Sequence, residues 1–160
     1  MSAKSVESSP ARRQFITFRS DGQDFGADIM QVQEIRGWTE TTVLPDTPDY
    51  VRGVVNLRGR VLPVLDMKSR LGRGLTKADS THVIVIVKSG DTQVGILVDA
   101  VSDILTLLSS DIQPAPALAR SQQDGLIEGI AVLDQGLVTI LSMDHLTANV
   151  PLAVPQAAAA

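Results

Sequence analysis

Val83-Ile84-Val85-Ile86-Val87 is five β-branched residues in succession, followed by Ser89-Gly90-Asp91 and then by Gln93 to Val98. Branching at Cβ stiffens χ1 and suits a side chain to the pleated surface of a strand. The small and polar triplet between the two runs supplies turn chemistry, so the stretch reads as a β-hairpin. The first run does not alternate between apolar and polar residues. Both of its faces must therefore be covered, as in a strand lying between two packed layers or barrels. The returning run, through Val94, Ile96 and Val98, alternates more nearly.

The same rhythm extends in both directions from this hairpin. Gln14 to Arg19 and Gln23 to Ala27 flank Asp21-Gly22, a dipeptide that readily takes the positive φ angles of a tight turn. Gly53 to Val55 turns through Asn56-Leu57-Arg58-Gly59 and returns as Arg60 to Leu65, while Leu126 to Leu133 and Leu137 to Leu141 flank Asp134-Gln135-Gly136. Pro63 lies inside one of these strands; proline donates no ladder hydrogen bond, which predicts an edge or a bulge there. Helical signals are short: Asp28 to Val32, Asp66 to Leu71 stopping at Gly72, and Met143 to Ala148 after Ser142. Arg73 to Ser80 reads as a linking loop, and Pro114 and Pro116 impose an extended or turning path on Ile112 to Ala117. The prediction is an all-β chain with a few short helices, built from two successive sets of about five strands. Residues 1–12 and 151–160 read as disordered tails around a folded part at 13–150.

Composition bounds the function. A chain of 160 residues buries roughly 70% of the surface its unfolded form exposes, enough for one domain or two joined small barrels. Without cysteine there are no disulfides, thiolate metal sites or cysteine nucleophiles. The polar N-terminus carries no signal-peptide pattern and no run reaches membrane-span length, so the expected location is the cytoplasm, without direct membrane insertion. A net charge of −4 with interspersed signs argues against nucleic acid as a partner, as do only five aromatic residues. Phe15, Phe18 and Phe25 read as core, and Trp38 and Tyr50 as core or contact residues.

Catalytic chemistry has little to stand on. His82 and His145 are isolated, fall in no metal-ligand spacing, and read as structural or surface residues. Asp99 and Asp103, four apart, would share a helical face as paired carboxylates, but Asp99 ends a strand and reads instead as a solvated turn residue. No glycine pattern cradles phosphate. No catalytic residue, cofactor or metal is expected. The feature that resists a bland reading is the tip Asn56-Leu57-Arg58-Gly59. A turn tip is ordinarily polar, so Leu57 either faces a partner or folds back as a plug.

Several segments taken together resemble the CheW family. They are Phe15-Ile16-Thr17-Phe18, Phe25-Gly26-Ala27-Asp28-Ile29, Val32-Gln33-Glu34-Ile35-Arg36-Gly37, and above all Pro48 to Gly59 continuing through Val61-Leu62-Pro63-Val64-Leu65-Asp66. Gly95 to Val101, Ile112 to Pro116, Gly129 and Leu137 to Leu141 follow in the same order. The resemblance implies two packed, five-stranded, SH3-like β-barrels and a non-enzymatic chemotaxis adaptor. It implies two partners: the CheW-like regulatory domain of the histidine kinase CheA, and the cytoplasmic tip of methyl-accepting chemoreceptors. It further implies recruitment to membrane-associated receptor arrays, and a receptor-facing groove at Val32, Glu34, Gly53, Asn56, Leu57 and Arg58. It assigns no kinase-facing residues. The same adaptor in a non-flagellar chemosensory pathway is the alternative.

Overall fold

The computed structural model describes residues 12–114, 125–134 and 136–148. The expectations for residues 1–11 and 151–160, for the 115–117 part of the proline segment and for Gln135 in the last turn lie outside the described residues. Among the described residues eleven strands follow in order: β1 (Arg12–Ser20), β2 (Gln23–Asp28), β3 (Val32–Gly37), β4 (Val51–Leu57), β5 (Arg60–Asp66), β6 (Val83–Ser89), β7 (Thr92–Val98), β8 (Ala100–Leu108), β9 (Ile112–Gln113), β10 (Ile127–Leu133) and β11 (Gly136–Leu141). The same residues hold two short α-helices, α1 (Met67–Arg70) and α2 (Met143–Ala148), and two 3₁₀ turns at Ile29–Gln31 and Ser109–Asp111.

The helical starts expected from the sequence are capped as their residue types dictate. The Asp28 carboxylate accepts from Met30 N, Asp66 accepts from Ser69 N, and Ser142 Oγ accepts from His145 N. Arg12 already belongs to β1, one residue inside the segment read as a tail.

The strands form two sheets. The first runs β8-β1-β2-β11-β10-β9 and the second β3-β6-β7-β5-β4. The first has six members rather than five because the two-residue β9 pairs with β10 at its edge. The predicted hairpins all form, and two parallel pairings, β2 with β11 and β5 with β7, join distant parts of the chain.

Three apolar clusters make the core. The largest lies between the sheets and takes Phe18, Phe25, Leu65, Met67, Val85, Val87, Val94, Ile96, Val98, Leu141 and Leu146. One cluster fills each sheet's own interior: Phe15, Leu107, Ala131, Val138 and Ile140 in the first, and Leu57, Leu62, Val64, Ile84, Ile86 and Leu97 in the second. Strand β6 therefore sends Val85 and Val87 to the shared core and Ile84 and Ile86 into its own sheet, which is why its sequence shows no polar alternation. At roughly 1.5–3 kcal/mol per buried Val or Ile side chain, Val85 and Val87 help bind the two layers while Ile84 and Ile86 help hold the second sheet together.

Some sequence expectations need correction. Strand β7 is buried throughout Val94–Val98 rather than alternating. It looked half polar because Gly95 occupies an inward position where a Cβ would come within 2.8 Å of Ile84 Cγ2. As read from the sequence, Asp99 does not share a helix with Asp103: it follows β7, and Asp103 lies in β8, a nine-residue strand antiparallel to β1. Nor is Asp99 merely solvated: Oδ2 accepts from Asp21 N at 3.0 Å and Oδ1 faces His82 Nε2 at 3.4 Å. Pro63 sits in an internal strand, but the ladder to β7 begins only at Val64, so β5 is locally an edge where the N–H is missing.

Candidate functional site

Strands β3 and β4 are the two edges of the second sheet, yet the sheet curls until they face one another. The chain leaving β3 acts as a strap across the gap. Trp38 N donates to His82 O at 3.0 Å, and Thr42 exchanges two backbone hydrogen bonds of 2.9 Å with Val54 of β4. Closure is tight at Gly53, whose φ is +137° and where a Cβ would lie 2.2 Å from Thr42 O. Only glycine permits that approach.

Between β3 and β4 the closure is incomplete and leaves a seam of about 450 Å³. Arg36, Thr39 and Thr42 form one wall, Val54, Val55 and Asn56 the other, and Ile84 and Ile86 the floor. The β4–β5 turn overhangs it. Arg58 and Gly59 both have positive φ, 52° and 85°, the geometry of a hairpin turn whose twist matches its strands. Asn56 Oδ1 accepts from Gly59 N at 2.8 Å and holds the turn. An arginine in the left-handed region costs about 1 kcal/mol, so the position is not one that turn propensity alone would choose.

The Arg58 side chain, 70% exposed, reaches across the gap to Glu34 of β3. Glu34 Oε1 accepts from Arg58 at 2.8 Å and Oε2 from Arg36 at 2.9 Å. The Arg58 guanidinium first, then that of Arg36, holds the Glu34 carboxyl below the usual carboxylate range.

The six positions singled out by resemblance thus have different surroundings. Glu34 and Arg58 meet directly, and Asn56 lines the seam. Leu57 is 7% exposed and packs with Leu62, Val64, Ile84, Ile86 and Leu97, so of the two readings of this residue the plug is the one realised. Gly53 is buried beneath the strap. Val32 packs against the shared core. Sequence reasoning missed Arg36, although its place two residues beyond Glu34 in a strand puts it on the same face.

A second surface occurs on the first sheet. Its opposite edges also approach, with Leu105 of β8 and Ile112 of β9 packed on one cluster with Leu133 of β10. Outside that cluster Val132 and Leu137 are direct cross-strand partners, 55% and 58% exposed, and Ile104 is 51% exposed. Asp103, Asp111 and Asp134 stand around the two small hollows of this end. His82 lies between Asp79 and Asp99, and His145 lies against Gly125.

Two curled sheets sharing one core, with a seam on the second and an apolar end on the first, define a β-rich module built to present surfaces. The CheW-like domain family matches residues 14–150, and the chain belongs to that family. It is 42% identical to chemotaxis protein CheW of Rhizobium meliloti, over 82% of this chain and 85% of the relative. It is 32% identical to chemotaxis protein CheW of Klebsiella aerogenes, over 89% and 86%. Among solved structures, the scaffolding protein TtCheW from Thermoanaerobacter tengcongensis superposes with a TM-score of 0.77 at 29% identity, covering 88% of this chain and 95% of that one.

Proposed function

We propose that this protein is a chemotaxis adaptor that couples methyl-accepting receptors to the histidine kinase CheA, without catalysis of its own. The observation that carries the reading is the seam of the second sheet. There Glu34 and Arg58, both receptor-facing by resemblance, form an ion pair across a groove floored by Ile84 and Ile86. A groove with an apolar floor and charged rims suits one face of an amphipathic helix, whose apolar residues enter while polar neighbours pair with the rim. The receptor's cytoplasmic tip is the partner assigned to it. Val32, Gly53 and Leu57 support this groove from beneath, and Glu34, Asn56 and Arg58 meet the partner.

The second contact falls to the kinase. Ile104, Val132 and Leu137 are large apolar side chains more than half exposed on the first sheet. They stand beside hollows lined by Asp103, Asp111, Asp134 and the Arg19–Asp24 ion pair, a surface suited to a protein interface. The kinase's regulatory domain, being CheW-like, offers a barrel end of the same kind to pack against it.

Two modest contacts suffice for a scaffold, because once one partner is held the second encounter becomes intramolecular. Signal transfer requires the adaptor to bind the kinase-on and kinase-off assemblies with different free energies. The place of action is the cytoplasm, at receptor arrays. The test is co-sedimentation of kinase with receptor-bearing membranes, with no adaptor, with wild type, and with Arg58→Glu. Recovery of kinase with wild type alone is the expected result; equal recovery in all three arms refutes the coupling role.

A further inference from the structure

The strap that walls the seam stands on one side chain that neither the sequence pattern nor the resemblance singled out. Arg52 of β4 is held by Asp66, which is fully buried: Arg52 Nη1 donates to Asp66 Oδ2 at 2.9 Å and to Thr76 O at 2.7 Å. Asp66 is itself fixed, accepting from Thr76 N and Thr76 Oγ1 at 2.8 Å each and capping α1 through Ser69 N. The opposite side of the guanidinium faces the strap, with the Arg52 guanidinium carbon 5.0 Å from the centre of the Trp38 ring. Thr41 Oγ1 donates to Arg52 O at 2.8 Å, and Thr42 then pairs with Val54. An unbroken line of contacts therefore runs from the α1 cap through Asp66 and Arg52 to Trp38 and on to Thr39 and Thr42, the outer wall of the seam.

We infer that Arg52 is the positioning residue of the partner-binding seam: its planar guanidinium, fixed by Asp66 and Thr76, seats Trp38 and thereby sets the distance between strap and β4. The geometry favours this role over simple closure of the sheet. Closure already has its own devices in the Thr42–Val54 pair and the glycine at 53. What Arg52 adds is a flat cation that bonds at its edge and stacks on its face at once, a combination that lysine, a point charge, cannot reproduce.

This inference rests on the adaptor reading, and its test separates the two. Trp38 is the sole tryptophan, so its emission reports directly on the stack. Arg52→Lys and Trp38→Leu are compared with wild type by calorimetric titration against a receptor cytoplasmic-tip fragment and, separately, against the kinase regulatory domain. Arg52→Lys is expected to shift Trp38 emission to the red, and both variants to bind the receptor fragment about tenfold more weakly while kinase-domain affinity stays within about twofold. Receptor affinity within twofold of wild type in both variants overturns the inference, whatever the emission does. Parallel losses toward both partners also overturn it, since they mark a general structural role. A wild-type chain that binds neither fragment removes the adaptor reading, and this inference with it.

Discussion

The two sheets face the same problem, the meeting of two edges when a small sheet curls, and solve it differently. In the first, β8 meets the β9–β10 edge through side chains: Leu105, Ile112 and Leu133 pack on one apolar cluster. In the second, backbone does the closing, through the strap and the Thr42–Val54 pair, and charged side chains span what remains open. Side-chain closure leaves an outer surface that is itself apolar, at Ile104, Val132 and Leu137. Backbone closure leaves a polar seam with four charges, Glu34, Arg36, Glu40 and Arg58, over a buried aliphatic floor. One fold thereby presents two chemically distinct surfaces, which the proposed adaptor role assigns to two dissimilar partners.

The largest effect is expected where backbone closure is tightest. Gly53→Val places a Cβ against Thr42 O at a φ that branched residues avoid, and should cost on the order of 3 kcal/mol, read as a fall in denaturant midpoint. Gly129→Val in the first sheet, although its Cβ would lie 2.5 Å from Ile112 Cγ2, needs to displace only the two-residue β9 and should cost less. The reverse order would break the contrast between the two closures.

Next comes the apolar end. Val132→Asp combined with Leu137→Asp should weaken binding of the kinase regulatory domain by about 100-fold, the scale of losing two buried contact residues. Because both side chains are more than half exposed, the thermal midpoint should change little, and affinity for a receptor fragment should be retained. Loss of receptor binding alone would exchange the roles of the two surfaces.

Arg58→Glu is expected to do the opposite, abolishing receptor coupling while kinase-domain binding survives. Its effect on folding should be about 0.5 kcal/mol or less, as for an exposed turn side chain. A large fall in thermal midpoint would make Arg58 part of the closure instead.

The smallest effect is electrostatic. The folded-state pKa of Glu34 is depressed by Arg58 and Arg36, so the pair's contribution is complete above the ordinary glutamate value of about 4.3 and fades as pH falls through the folded value. Carboxyl titration by NMR should place the Glu34 midpoint below that ordinary value in wild type, and Arg58→Gln should move it upward. An unchanged midpoint in Arg58→Gln would show that the ion pair across the seam does not persist in solution.

The candidate site was legible only in part. Asn56-Leu57-Arg58-Gly59 stood out because an apolar residue at a turn tip conflicts with local rules, and the conflict marked a real feature: Leu57 is the plug beneath the seam. The resemblance contributed Glu34, but nothing local indicates that a residue 24 positions before Arg58 will meet it. Arg52 was silent because an arginine between two apolar strand residues looks like ordinary outward alternation; its value comes from Asp66, Thr76 and Trp38, which lie elsewhere in the chain.

The sequence by itself determined the hairpins, the short capped helices and the two-sided burial of β6. Each depends on short-range rules: side-chain period along a strand, φ preferences at turns, and capping oxygens next to orphan N–H groups. Only the tertiary structure decided that Ala100–Leu108, with no hairpin turn of its own to mark it, is a strand laddered to β1. The same is true of the parallel pairings of β2 with β11 and β5 with β7, the strap at Thr42, and the meeting of Glu34 with Arg58. Each of these is fixed by how far a sheet curls before its edges meet, and that curvature is set by packing of the whole core, not by any residue's immediate neighbours.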